Sequence, residues 1–235
     1  MKSKLFLLTL AFIPFLASAQ IVINSETDYH EKIKPWTPEK VNDFQFVYNF
    51  GFSELESYFI LIVTKDSCYA QIKYGEFNEN ATDFIWNYEN LKNVRIEGSK
   101  FYSDKSNGEF AIYENKKGLV MYNPWQSMAK RGEYEIGFVR TSLDNHYSGK
   151  FPYSSFRLLN KNELKKMSLS DLRIMRNEIY ARYGYIFEST GDMDNYFMTQ
   201  SWYHGQHKNV SNFITGLEKK NIQMIQMIEK EKNGL

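Results

Sequence analysis

The chain has 235 residues, of which 43% are hydrophobic and 17% aromatic, and its 29 basic side chains nearly balance its 28 acidic ones. A near-neutral chain has no bulk basic character, which argues against nucleic acid or an anionic membrane surface as its partner. The aromatic content is far above that of a disordered chain, so a packed globular protein is expected. Cys68 is the only cysteine, so no internal disulfide can form and the fold depends on its core.

Residues 1–19 have the three parts of a secretory signal peptide. Lys2 and Lys4 precede an apolar stretch, and a small-residue site at 17–19 follows it. We predict cleavage between Ala19 and Gln20, and a protein that is secreted or periplasmic. Because residue 20 is not cysteine, no lipid anchor is expected there. The apolar stretch is shorter than the ~20 residues that span a bilayer, and no second long one follows, so no membrane span is expected.

The next part of the chain is predicted to be a β domain preceded by a polar lead-in segment. Residues 20–42 form the lead-in segment, and residues 43–140 the β domain. At the start of the domain, aromatic and other residues alternate with period two, which is typical of a strand with one buried face. Further strands are predicted at 57–63, 68–74, 93–97, 100–103, 110–114, 119–123 and 134–140. Short strands with closely spaced turns indicate an antiparallel sandwich or small barrel.

Helical periodicity begins after a turn-rich connection at residues 141–165. We predict a small helical domain over residues 166–235, so the fold class is α+β. In its first helix Ser170 is the expected N-cap, and Gly184 the glycine that ends the helix. One face of this helix carries Leu172, Met175, Ile179 and Tyr183. A short helix is predicted near 192–200, and a capping box at Thr215–Glu218 opens the last helix.

The helical part contains an ordered series of motifs. Tyr180-Ala181-Arg182-Tyr183-Gly184 is preceded by Arg176-Asn177-Glu178, and Trp202-Tyr203 and Lys220-Asn221-Ile222 follow. In this order they resemble the YARHG domain, a bacterial extracellular module named for its motif. The resemblance covers about the last third of the chain and implies a secreted or envelope protein, with no established molecular function. Tyr183 replaces the histidine of the family motif, so no role that depends on that histidine is carried over.

The motif residues and nearby aromatic side chains form the candidate binding or structural site. Its members are Arg176, Asn177, Tyr180, Arg182, Tyr183, Gly184, Trp202 and Tyr203. The aromatic rings could form a stacking platform for a glycan or peptide, or they could be the core of the small domain. The second interpretation is favoured, because a small domain without disulfides needs large side chains in its core. The polar members could line a site or bind loop carbonyls.

No catalytic, cofactor-binding or metal-binding residues are predicted. His204 and His207 lie three apart, but no further ligand is nearby in the sequence. The acidic segment at 191–195 lacks the glycine and the distal glutamate of a calcium loop. The hydrolase, zinc-protease and nucleotide-binding motifs are absent from the sequence.

The sequence therefore favours a secreted, non-enzymatic envelope protein that recognises a peptide, protein or glycan. One alternative is a β-barrel carrier of a small apolar ligand, lined by Phe44, Phe46, Tyr48 and Phe50. A solvent-accessible cavity in the β domain would favour the carrier, and a filled core would oppose it. Another alternative is a hydrolase with an unrecognised acid pair, which would need two facing carboxylates in a cleft.

Overall fold

The structure is a computed structural model. It describes residues 22–23, 32–51, 57–78, 80, 82–122 and 134–234. The predicted signal peptide and its cleavage site lie outside the described residues, as do residues 20–21 and 24–31 of the lead-in segment. The described chain is α+β, with an antiparallel sheet followed by helices, which confirms the predicted fold class.

In the described part of the chain eleven strands form one antiparallel sheet. They are β1 (Val22–Ile23), β2 (Ile33–Pro35), β3 (Val47–Phe50), β4 (Ser57–Val63), β5 (Cys68–Phe77), β6 (Phe84–Asn90), β7 (Arg95–Glu97), β8 (Lys100–Tyr102), β9 (Asn107–Tyr113), β10 (Lys116–Met121) and β11 (Tyr134–Thr141). The main path runs β6-β5-β4-β3-β11-β10-β9-β8-β7, while β1 pairs with β11 and β2 with β9. Most connections are therefore hairpins between neighbouring strands.

The sheet curls into half a barrel. Four strands separate β4 from β8 along the path, so a flat sheet would place them about 24 Å apart at ~4.8 Å per strand. The ring centroids of Phe59 on β4 and Phe101 on β8 are instead 5.0 Å apart. The curl thus closes one face of the sheet around a shared interior.

Large side chains fill this interior. The rings of Phe44 and Phe110 stack at 3.8 Å, and the Tyr48 hydroxyl donates a hydrogen bond of 2.6 Å to the Phe44 carbonyl. Phe44, Tyr48 and Phe50 are buried, and Phe46 packs against the same cluster. The four residues that would line a carrier's cavity therefore pack into this core.

Three features of the β part differ from the sequence-based predictions. Phe44 ends a 3-10 helix at Val41–Phe44, so the first predicted strand starts three residues later, at Val47. The described end of the lead-in segment adds β2 and buries Trp36 in the main cluster. Strand β6 was not predicted, although Phe84, Trp86 and Tyr88 alternate along it.

Five α-helices follow the sheet in the described residues: α1 (Leu143–His146), α2 (Lys161–Lys165), α3 (Leu169–Arg182), α4 (Asp192–Met198) and α5 (Gly216–Lys232). Helix α3 starts earlier than predicted, because Ser168, not Ser170, is its N-cap and accepts from the Asp171 amide. The capping box at Thr215 and Glu218 is present at α5 as predicted. No helix among the described residues is long and apolar enough to cross a membrane.

The helices pack on the outer face of the curled sheet. The cluster that joins them contains Val47, Ile60 and Ile62 from the sheet and Leu143, Tyr147 and Leu217 from the helical side. The predicted connection, residues 141–165, holds α1, a 3-10 helix at Pro152–Ser155 and α2. The two parts therefore share a buried interface, and the predicted division into domains stays a prediction.

Candidate functional site

A groove lies where the end of α3 meets the outer face of β5 and β6. Its volume is about 370 Å³, and it adjoins a cavity of about 150 Å³. The residues that line both are Lys73, Tyr88, Arg182, Tyr183 and Trp202. The groove adds Phe84, Trp86, Ala181, Gly184, His204 and Gln206, and the cavity adds Ile60, His146, Tyr147 and Ser148.

Strands β4, β5 and β6 bring one lysine and three aromatic residues together on one face of the sheet, and Lys73, Trp86 and Tyr88 form the floor of the groove. Register pairs Lys73 with Tyr58 on one side and with Tyr88 on the other, and paired residues share a face of the sheet. The Lys73 ammonium lies 4.3 Å from the ring centroid of Trp86. It also lies 5.6 Å from the ring of Tyr58 and 5.7 Å from that of Tyr88. Cation–π attraction therefore holds a positive charge at the floor.

Arg182, on the wall of the groove, fixes the chain that precedes the helical bundle. Its Nε donates to the Ser148 carbonyl at 2.7 Å, and its Nη1 donates to the hydroxyls of Ser154 and Ser155. Its Nη2 donates to the Phe151 carbonyl and to Glu178, both at 2.9 Å. A guanidinium has five N–H donors, so all of them are used within the fold.

Glu178 completes this network. Its carboxylate accepts from the backbone amides of Lys150 and Phe151, at 2.6 and 2.8 Å. Burial raises its pKa, while the Arg182 charge and these amides lower it. A Cβ on Gly149, where φ is 109°, would lie 2.6 Å from the Glu178 carboxyl carbon. The close approach of the loop to the carboxylate therefore requires glycine.

Tyr183, at the histidine position of the motif, is a buried link between the helices and the sheet. Its hydroxyl donates to Glu218 at 2.7 Å and accepts from the Gln71 amide at 3.3 Å. Its ring meets Tyr88 edge to face at 4.7 Å. Burial raises the pKa of both Tyr183 and Glu218. Only 2% of Tyr183 is exposed, so most of its side chain is engaged by neighbours within the fold.

The loop after Trp202 covers the free edge of β6. The Gln206 side chain accepts from the Trp86 amide at 3.3 Å and donates to the Phe84 carbonyl at 2.9 Å. His207 Nε2 lies 2.8 Å from the Trp86 carbonyl. Because a carbonyl oxygen can only accept, this nitrogen is the donor. The described residues contain no group of three or more His, Cys, Asp or Glu side chains placed to hold a metal ion.

The eight site residues proposed from the sequence lie in three different places in the structure. Arg182, Tyr183, Gly184 and Trp202 line the groove. Tyr203 is buried against Phe187 and Phe197, and its hydroxyl donates to the Tyr185 carbonyl. The remaining three, Arg176, Asn177 and Tyr180, lie on a separate open pocket of about 410 Å³ with Tyr185 and residues 208–211.

Two polar side chains of that separate pocket are bound within the fold. Arg176 forms an ion pair with Glu229 on α5 at 2.9 Å. The Asn177 amide donates to the Arg173 carbonyl one turn back at 2.8 Å. Arg176 therefore connects α3 to α5, whereas Asn177 bonds within α3.

Sequence analysis missed the sheet residues of the site: Lys73, Trp86 and Tyr88. The signal that could have found the last two was the alternation of Phe84, Trp86, Tyr88 and Asn90. Lys73 had no such signal, because it comes next to the rings only when β5 pairs with its neighbouring strands.

His146 lines the adjoining cavity. Burial lowers its pKa to about 3, and the charges of Lys73 and Arg140 add to this effect. The imidazole is therefore neutral at physiological pH.

The family model of the YARHG domain matches residues 150–230. The match starts inside the segment predicted to be a connection. It includes Lys150 and Phe151, whose backbone groups bind Glu178 and Arg182. No curated protein and no solved structure matches the chain. Residues 150–230 therefore match the YARHG domain, which is typically an extracellular or periplasmic module.

Proposed function

We propose that this chain is a secreted, non-enzymatic protein of the cell envelope that recognises a glycan, peptide or protein in the groove between its sheet and its YARHG domain. The observation that carries the proposal is the pairing of two partly exposed tryptophans from different parts of the chain, Trp86 and Trp202, along one groove. Binding sites are typically concave, with aromatic walls and a few polar groups.

The two other candidate functions have less support. A carrier of apolar ligands needs an open interior, whereas Phe44, Tyr48 and Phe110 fill the inside of the sheet. A hydrolase needs two accessible carboxylates in a cleft. The carboxyl groups with raised pKa near the groove, Glu178 and Glu218, are fully buried and bound by internal donors.

The test is a binding screen with the mature chain, residues 20–235, against glycan and peptide arrays. We expect a ligand whose binding is at least tenfold weaker for Trp86→Ala and for Trp202→Ala. Tyr102→Ala is the matched control, because Tyr102 is also partly exposed but lies on β8. A ligand unaffected by either tryptophan change would place recognition elsewhere, and conversion of the ligand, seen by mass spectrometry, would overturn the non-enzymatic assignment.

A further inference from the structure

Phe84 covers the backbone of Gly75 on the neighbouring strand. Register pairs Gly75 with Trp86, two residues after Phe84, so the glycine and the Phe84 ring lie diagonally across one face of the β5–β6 pair. A Cβ added to Gly75 would overlap the Cζ and Cε1 atoms of Phe84. Only glycine therefore lets this ring pack directly against the strand.

The ring of Phe84 is placed to serve as a platform in the groove. One side of it rests on Gly75, and because the residue is partly exposed and lines the groove, its other side is open to a ligand. Trp86 is more covered: the Lys73 ammonium lies 4.3 Å from its ring centroid, and the Phe84 ring meets it at 5.1 Å and 87°. Phe84 is therefore a preformed aromatic surface.

The charged side chains that line the groove are engaged within the protein. The Lys73 ammonium lies over the ring of Trp86, and Arg182 forms an ion pair of 2.9 Å with buried Glu178. No aspartate or glutamate is among the described residues that line the groove. A charged ligand group would lose its hydration here without finding an unpaired lysine, arginine or carboxylate. The groove is therefore suited to a neutral ligand.

The loop that lines the groove supplies polar groups beside the platform. His204 is exposed and Trp202 is partly exposed, and neither side chain forms a hydrogen bond with another residue in the described part of the chain. A sugar ring has an apolar C–H face and hydroxyl groups around its edge. Such a ring can pack on Phe84 while its hydroxyls bind the imidazole and the indole N–H.

The edge of β6 argues against an extended peptide as the occupant. A peptide beside a sheet commonly binds by adding a strand to a free edge. Here Gln206 and His207 already bind the amide and carbonyl of Trp86 and the carbonyl of Phe84. A saccharide needs no such edge, because it binds through its ring face and its hydroxyls.

We propose that the groove binds a neutral saccharide whose ring packs on Phe84, and that Gly75 is the positioning residue for this platform. This inference rests on the proposed function and adds the chemical class of the ligand. The groove volume of about 370 Å³ lies within the range of about 300–1,000 Å³ that is typical of ligand sites.

The test screens the mature chain, residues 20–235, against an array of neutral, acidic and amino-sugar glycans, and measures the Kd of each hit by titration calorimetry. We expect the tightest groove ligand to be neutral. It should bind at least tenfold more weakly to Phe84→Leu, which keeps an apolar side chain over Gly75 but removes the ring. Phe138→Leu is the matched control, because Phe138 is also partly exposed but lies on β11.

Gly75→Ala tests the positioning role. The added Cβ must displace the Phe84 ring, so we expect at least tenfold weaker binding with an unchanged circular dichroism spectrum. In the Phe84→Leu background the same change should weaken binding little further, because no ring is left to displace. Equal weakening in both backgrounds would show that Gly75 does not act through Phe84.

The other outcomes separate the two proposals. If the tightest groove ligand is a charged glycan, the neutral class is wrong and the recognition function stands. If a peptide binds the groove and no glycan does, the saccharide assignment is wrong. If a neutral glycan binds and Phe84→Leu has no effect, the platform is wrong. If no array ligand depends on Phe84, Trp86 or Trp202, both proposals fail.

Discussion

At the residue scale, the arginine of the YARHG motif is the centre of a buried network. Its side chain is 5% exposed and that of its ion-pair partner Glu178 is 1% exposed. Together they bind backbone groups of Ser148, Lys150 and Phe151. These hydrogen bonds, together with the burial of Phe151 in the core of the helical part, fix the path of the loop against α3.

Arg182→Met should therefore lower the free energy of unfolding by about 3–5 kcal/mol, because it leaves Glu178 as an uncompensated buried charge. Arg95→Met is the control, since the Arg95–Glu97 pair is exposed and should contribute about 0–1 kcal/mol. Urea denaturation followed by circular dichroism gives both values. Equal stability of the two variants would show that the network does not hold the loop.

At the scale of elements, Gly184 determines how α3 ends. Its φ is 70°, the left-handed conformation predicted for the residue after the helix. The amide of Gly184 donates to the Ala181 carbonyl, and its own carbonyl accepts from Gln206 and His207. The helix end therefore leads directly into the loop that covers β6.

Gly184→Ala should destabilise the protein more than Gly98→Ala does. Both glycines have positive φ, at 70° and 62°, so each alanine costs about 1–2 kcal/mol in backbone strain. A Cβ at Gly184 would also lie 3.0 Å from the His204 carbonyl, whereas nothing lies within 4 Å at Gly98. Melting temperatures of the two variants measure the difference. If Gly98→Ala lowers the melting temperature as much as Gly184→Ala does, the contact with the His204 carbonyl adds no cost.

The sequence could predict elements whose signal is local. The stripe from Leu172 to Tyr183 and the capping box at Thr215 each lie within a few turns of chain, so α3 and α5 were identified. Strand β6 was missed because its alternating rings follow a segment rich in Asn and Asp that resembles a loop. The groove could not be predicted, because Trp86 and Trp202 meet only after the helices pack on the sheet.

At the scale of the whole molecule, the sheet and the YARHG domain are joined by polar as well as apolar contacts. The Gln71 amide donates to the Phe213 carbonyl at 2.6 Å, and the Asn90 amide donates to the carbonyls of Asn212 and Phe213. The Gln71 amide also donates to the Tyr183 hydroxyl, so these bonds lie beside the groove that Tyr183 lines. A ligand in the groove would contact both parts, so its binding would add to the stability of their contact.

His146 makes the stability of this interface depend on pH. Its folded-state pKa is about 3, below the ordinary value of 6.5, through burial and the charges of Lys73 and Arg140. Below pH 6.5 the unfolded chain binds a proton that the folded chain does not. The contribution of neutral His146 to the stability of the folded state is therefore complete above pH 6.5 and is lost as the pH falls towards 3. At pH 5 the loss is about 2 kcal/mol, at 1.36 kcal/mol per pH unit.

Urea denaturation at pH 7.5 and pH 5.0 should show this loss in the unmodified protein and a smaller one in His146→Gln. The raised pKa values of Glu178 and Glu218 act in the opposite direction, because protonation on acidification favours the folded state for these groups. Both carboxyl groups are present in both proteins, so their contribution cancels in the comparison. If the two proteins lose the same stability between the two pH values, His146 is not the group that makes the interface sensitive to acid.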